Sequence, residues 1–121
     1  MGVVWHGTYL RYFEDGREAF GRAYGMSYLE FYEKGYFIPI VRSEIDHKGV
    51  VRYGDEIEIT TSIILGDAAK IVFEYSIFNV TMDMLAATGK TVQVFMKADT
   101  RELHLVVPEF YRDWLSKINA E

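Results

Sequence analysis

The feature that most constrains this chain is a change of hydrophobic period. Over residues 7–24 the apolar positions Leu10, Phe13, Phe20, Ala23 and Tyr24 recur at steps of three and four. Arg11, Asp15, Glu18 and Arg22 fall between them, the pattern of an amphipathic helix. Thr8 reads as its N-cap and Gly25 as its stop. Gly16 and Gly21 inside the pattern each cost about 1 kcal/mol relative to Ala, so a helix that keeps both predicts a closely approaching neighbour. Ser27 and Glu30 then have capping-box spacing and open a short helix that Gly35 ends.

From there the period is two. Residues 37–47 read as a strand with Val41, Ser43 and Ile45 on one face and Pro39 at an edge or bulge. Residues 48–54 form a loop bounded by Gly49 and Gly54. Residues 55–65 alternate Ile57, Ile59 and Ile63 against Glu56, Glu58 and Thr60. Gly66-Asp67 turns the chain into residues 69–80, where Ile71, Phe73, Tyr75 and Ile77 alternate. Met82-Asp83 is a second turn, leading to a long strand over residues 84–97 with Gly89 as a candidate break. Pro108 suits the first turn of a tail helix bearing Phe110, Trp114 and Ile118. Two helices, four antiparallel strands and a last helix predict an α+β arrangement in which a sheet wraps one helix.

A chain of 121 residues fits one domain, and its aromatic load of nine Tyr and eight Phe calls for a large core or an interface. A net charge of -5 argues against a nucleic-acid partner, which demands a basic face. Without cysteine there is neither a disulfide framework, a zinc-thiolate site nor a cysteine nucleophile. No window has the apolar length of a membrane span, and the first residues lack a signal-peptide pattern, so a cytoplasmic protein is the expectation.

The run Gly2-Val3-Val4-Trp5-His6-Gly7-Thr8-Tyr9-Leu10-Arg11-Tyr12-Phe13-Glu14 resembles the approach to the central helix in the 4-hydroxybenzoyl-CoA thioesterase family, in particular its Tol–Pal-associated acyl-CoA thioesterase branch. Val51-Arg52-Tyr53-Gly54-Asp55 resembles that family's loop into the next strand. Val92-Gln93-Val94-Phe95-Met96 with Val107-Pro108 resembles its last long strand and exit. The resemblance covers essentially the whole chain, as one domain over residues 1–121. It implies the hotdog fold, an antiparallel sheet around a long central helix. It also implies a homodimer or homotetramer with sites at the dimer interface, and hydrolysis of an acyl-CoA thioester. No cofactor is implied beyond the coenzyme A carried by the substrate. The family's catalytic aspartate stands seven positions ahead of the residue matching His6, which places it two residues before Met1. The expectation is therefore a chain lacking that acid and the first strand, with impaired hydrolysis.

Thioester hydrolysis needs donors for a developing oxyanion and a carboxylate or base to attack or to activate water. The resemblance assigns the oxyanion donor to the backbone N–H of His6, with Gly7 admitting the substrate to the helix terminus. A His6 side chain that caps the helix or packs at a subunit contact is the alternative. Glu14 matches a recurrent helical acid of the family. Asp15 falls where another hotdog branch places its carboxylate, although Thr8 replaces that motif's second glycine. For both, the plainer reading is a solvated or ion-paired position, Glu14 with Arg17 or Arg11. Arg52 and Tyr53 lie where the family's pantetheine arm passes. Lys90, Lys97 and Arg101 are candidates for the nucleotide phosphates, or else surface charges. His47 and His104 read as plain strand or surface residues, and no histidine spacing supports a metal site. A non-catalytic acyl-CoA or acyl-carrier-protein binding module is the competing function; a hotdog dehydratase is a third, whose helix motif is not matched.

Overall fold

The computed structural model describes residue 2, residues 7–64 and residues 69–119. Helix α1 (Thr8–Tyr24) follows the predicted period and buries Tyr9, Phe13, Gly16, Arg17 and Gly21. Gly25 ends it in the left-handed region at φ 80, its N–H bonded to the Gly21 carbonyl, a conformation that costs glycine nothing. The expected cap at Thr8 is corrected. Gly7 holds the N-cap position with a helical φ of -63, and Thr8 is the first helical residue. A capping side chain must fold back from an extended backbone, and Gly7 has neither that backbone nor a side chain. Helix α2 (Tyr28–Glu33) opens with the predicted Ser27–Glu30 capping box.

Six strand segments follow: β1 (Tyr36–Phe37), β2 (Ile40–His47), β3 (Ile57–Ile64), β4 (Lys70–Asn79), β5 (Met84–Lys97) and β6 (Leu103–His104). Two of these differ from the sequence reading. The strand expected over residues 37–47 is divided at Ile38 and Pro39, because proline has no N–H for the ladder. The β6 pair is too short to leave a period. The Gly66-Asp67 turn lies outside the described residues. Helix α3 (Glu109–Asn119) follows Pro108 as expected.

β5 is the spine of an all-antiparallel sheet. β1 and β2 pair with it on one side and β4 on the other, with β3 beyond β4, while β6 adds a short pair at Phe95 and Met96. Gly89 does not break β5, which runs without interruption from Met84 to Lys97. Its role is steric. A β-carbon there would collide with the Phe13 ring of α1 and come within 2.9 Å of the Glu44 carbonyl oxygen. Gly16 answers the prediction of a close neighbour in the same way, since a β-carbon there would run into Thr61 and lie 2.9 Å from Ile59 of β3. The two contacts seat α1 flat on the sheet.

Between them lies the core: Phe13, Ile71, Tyr75, Ile77 and Phe95 are buried, and Phe13 stacks on Tyr75 with ring centroids 4.6 Å apart. α3 closes one end through Trp114, whose indole Nε1 donates to the Tyr24 carbonyl at 2.6 Å. No described helix is long and apolar enough to cross a membrane.

Candidate active site

The first turn of α1 carries backbone N–H groups that have no partner within the helix. Among the described residues no side chain caps it, and the amides of such a terminus, with the positive end of the helix dipole, suit an anion or a polarised carbonyl. Gly7 stands at that terminus as the sequence reading requires. His6 lies outside the described residues. Around the terminus the fold gathers side chains from α1 and β2 and the backbone at Val51. Tyr9 is buried, with Tyr12 edge-on at 5.9 Å and His47, from the end of β2, edge-on at 5.0 Å. Burial and the neighbouring Tyr12 push the Tyr9 hydroxyl above its ordinary range, while the backbone of Val51 hydrogen-bonds it and acts in the opposite sense. His47 was read from sequence as a plain strand residue. Its place beside Tyr9 depends on where β2 ends, which no local pattern encodes.

The two candidate acids point differently. Glu14 carries an ion pair with Arg17 at 2.8 Å, one of the two partners that the sequence offers, and remains partly exposed. Asp15 is exposed. At about 1.5 Å rise per residue, Glu14 stands roughly 10 Å along the axis from Gly7, too far to act on a carbonyl held at its own helix terminus.

The loop from Val51 to Asp55 is held by its acid. The Asp55 carboxylate accepts the Arg52 N–H at 2.8 Å and an Asn79 amide hydrogen at 2.8 Å, bonds that keep its carboxyl below the usual range. Gly54 turns the chain at φ 94, and the Tyr53 N–H donates to the Gly2 carbonyl. Val51 is buried, whereas the Arg52 and Tyr53 side chains project outward. Lys90 and Lys97 are not brought together. Seven residues of β5 separate them, about 23 Å, and an odd spacing puts them on opposite faces of the sheet. Lys90 sits on the outer face between Glu44 and Glu74, its cross-strand neighbours. Lys97 stands at the strand end beside Lys34, and Arg101 follows in the left-handed conformation at φ 60. Among the described residues no group of three or more His, Asp or Glu is placed to hold a metal ion.

A second polar cluster escaped the sequence reading. Arg17, only 4% exposed, lies with its guanidinium carbon 3.2 Å from the ring centroid of Tyr28. The Tyr28 hydroxyl accepts from Gln93 Nε2 at 3.0 Å, and the same nitrogen donates to the Ile38 carbonyl at 2.8 Å. The only sequence signal was polarity at inward positions, Arg17 on the buried face of α1 and Gln93 at alternate spacing with Thr91 and Phe95 on β5.

Comparison with known proteins identifies this frame. Residues 1–115 match the family model described as the Thioesterase-like superfamily. The chain belongs to that superfamily, and its fold is the hotdog fold. Among individual relatives, YneP of Bacillus subtilis, which carries a provisional acyl-CoA thioesterase name, is 34% identical over 79 residues. That match takes in 65% of this chain and 57% of the relative, so it spans just over half of YneP's own length. The crystal structure of a DHNA-CoA thioesterase from Staphylococcus aureus superposes with a TM-score of 0.86 at 28% identity, over 99% of this chain and 81% of the other. The hypothetical protein TT1821 from Thermus thermophilus gives a TM-score of 0.83 at 26% identity, over 97% of this chain and 87% of the other.

Proposed function

We propose that this protein hydrolyses an acyl-CoA thioester, as one hotdog domain of the 4-hydroxybenzoyl-CoA thioesterase kind. The observation that carries the reading is the α1 terminus at Gly7, which no described side chain caps, within a chain of this superfamily. Its amides stabilise the charge that develops on the carbonyl oxygen. Coenzyme A enters and leaves as part of substrate and product, and the reaction is assigned to the cytoplasm.

The working unit in this proposal is a dimer. β2 pairs only with β5 among the described strands, and all its residues but Ile45 are exposed, with Val41 at 60%. An edge strand of eight residues with an exposed ladder invites pairing with a second copy. Two-fold antiparallel pairing of β2 with itself sets the partner's His47 end beside this chain's Ile40 end. Each α1 terminus then faces residues of the other copy. Arg52, Tyr53, Lys90 and Lys97 remain candidates for the coenzyme. Their separation favours contributions from two chains over one shared pocket.

The carboxylate is the point for experiment. Release of free thiol from acyl-CoA substrates is measured for the chain, for Glu14→Gln and for Asp15→Asn, and for a version extended upstream with aspartate two positions ahead of Met1. A rate that rises about 10²-fold or more with the extension assigns the acid to the upstream position. A comparable loss in Glu14→Gln assigns it to the helix. No thiol release from any version, with coenzyme A and acyl-CoA still bound, replaces the hydrolase with the binding module.

A further inference from the structure

His47 stands beside the α1 terminus, and the reaction proposed above makes no use of it. β2 alternates its faces: Glu44 and Asp46 line the outer side of the sheet with Lys90, whereas Ile45 packs on the core. His47, two residues beyond Ile45, shares the inner face, toward α1. The chain is pinned just past this point, where the Lys48 and Gly49 N–H groups donate to the Ala86 carbonyl at 2.8 and 3.0 Å. The imidazole meets the Tyr9 ring edge-on at 5.0 Å, and the residue remains exposed to solvent.

Position, support and freedom suit this imidazole to move a proton. Tyr9 is two residues past Gly7, about 3 Å of helical rise, and helical side chains lean toward the N-terminus. The Tyr9 ring and the imidazole against it therefore lie over the first turn. Tyr9 is 4% exposed and its hydroxyl is hydrogen-bonded by the Val51 backbone, so it is a fixed wall that orients its neighbour. Among the described residues neither ring nitrogen of His47 has a hydrogen-bond partner, unlike His104, whose Nε2 lies 3.5 Å from the Tyr36 hydroxyl. The nearby carboxylates are less free. Glu14 is paired with Arg17 further along the helix, and Asp55 is tied to the Arg52 N–H and the Asn79 amide. Around His47 itself, Tyr9 faces it from α1 with Tyr12 against Tyr9, and neutral Ala87 lies opposite on β5. Asp46 and Lys48 flank it in sequence, with Asp46 on the outer face.

We infer that His47 is the base of the hydrolysis. The inference rests on the acyl-CoA hydrolase reading. A ring nitrogen of the neutral imidazole takes a proton from water as the water oxygen bonds to the thioester carbonyl carbon. The carbonyl oxygen takes up the negative charge against the α1 amides. Collapse of that tetrahedral adduct breaks the carbon–sulfur bond, and the imidazolium returns its proton to the leaving thiolate of coenzyme A. The carboxylic acid formed releases its own proton to solvent, and water is the sole co-reactant. An imidazole both takes and returns a proton near neutral pH, as the two halves of this cycle require.

The test is steady-state thiol release from acetyl-CoA and hexanoyl-CoA between about pH 5 and 8. His47→Gln is expected to lower kcat about 10²-fold or more with KM within about threefold, the mark of a lost proton-transfer group, at an unchanged melting temperature. The parent's kcat/KM falls on the acid side, because a protonated imidazole accepts no proton, and His47→Gln should lack that limb. His47→Phe keeps a ring against Tyr9 and should be as slow as His47→Gln, whereas added imidazole should recover part of the rate in His47→Ala. His104→Gln serves as the control and should stay within about twofold of the parent. A His47→Gln rate within about threefold of the parent, a rate restored by His47→Phe, or an acid limb that survives the substitution each overturns the inference. So does a version extended upstream with aspartate that reaches the same rate with and without His47. No thiol release from the parent or the extended version overturns the hydrolase reading and this inference with it. An active parent beside an equally active His47→Gln overturns the inference alone.

Discussion

β4 and β2 flank the same central strand, yet their fates differ. Along β4, Ile71, Phe73, Tyr75 and Ile77 alternate inward and are buried beneath α1. Along β2 the sequence alternates Val41, Ser43 and Ile45, but Val41 falls at a register shift and only Ile45 is partly covered. α1 packs on β3 and β4, held there by Gly16, and reaches β5 only where Gly89 admits Phe13. It meets β2 at the His47 end, where Tyr9 packs edge-on, and leaves most of that strand exposed. An alternating pattern therefore specifies which residues share a face; it does not specify that anything covers that face.

The sharpest way to break this comparison is to charge the bare strand. Val41→Asp or Ser43→Lys is expected to give a monomer by light scattering and, through the composite site, to reduce hydrolysis by roughly 10²-fold, the scale on which a misplaced catalytic group acts. A dimer that persists in both variants would place the interface elsewhere.

Truncations on the two sides should then separate in stability. Phe13→Ala removes the buried ring that meets Gly89 and stacks on Tyr75, and is expected to cost about 3–5 kcal/mol in urea unfolding. Val41→Ala, measured on the monomeric Ser43→Lys background, should cost no more than about 0.5 kcal/mol. Similar costs would mean that β2 is covered within a single chain. A third measurement addresses the far end of β4. Asn79 is fully buried, donates to the Val50 carbonyl and the Asp55 carboxylate, and accepts the Met82 N–H. Asn79→Ala should cost about 1–3 kcal/mol, because it leaves those turn groups without their partner.

The smallest expected effect is alkaline. Tyr28 and Tyr75 are both raised by burial to about 12 from an ordinary value of 10.0. Above about pH 10 the unfolded chain loses these protons while the folded chain keeps them, so stability should fall as pH rises from about 10 to 12. Tyr75→Phe should reduce that slope relative to neutral pH, as read in thermal melts across the range. An unchanged slope would mean that this hydroxyl does not titrate differently on folding.

Much of the fold was legible because its signals are local. The helix of α1, its stop at Gly25, the Ser27 capping box and the whole of Met84–Lys97 follow from period and turn chemistry. The misreadings have local causes as well. Gly89 suggested a break because glycine weakens strands, and nothing nearby in sequence announced the ring that needs the space. Thr8 suggested a cap by residue type, whereas the backbone at Gly7 left the end uncapped. The site was less legible. Glu14 and its partner Arg17 are three residues apart and could be paired from the helix period, but Gln93 meets Tyr28 across 65 positions.

The sequence by itself determined the elements, the inward face of each strand and the family resemblance, since periodicity, caps and motifs act over a few residues. Tertiary structure alone decided which faces are covered and which distant groups meet. It set α1 over β3 and β4 instead of β2, brought His47 to Tyr9, and assembled Arg17, Tyr28 and Gln93 in one cluster. Those outcomes depend on where a helix rests on a sheet, and steric fit between distant residues, Gly16 with Ile59 and Gly89 with Phe13, is what fixes that position.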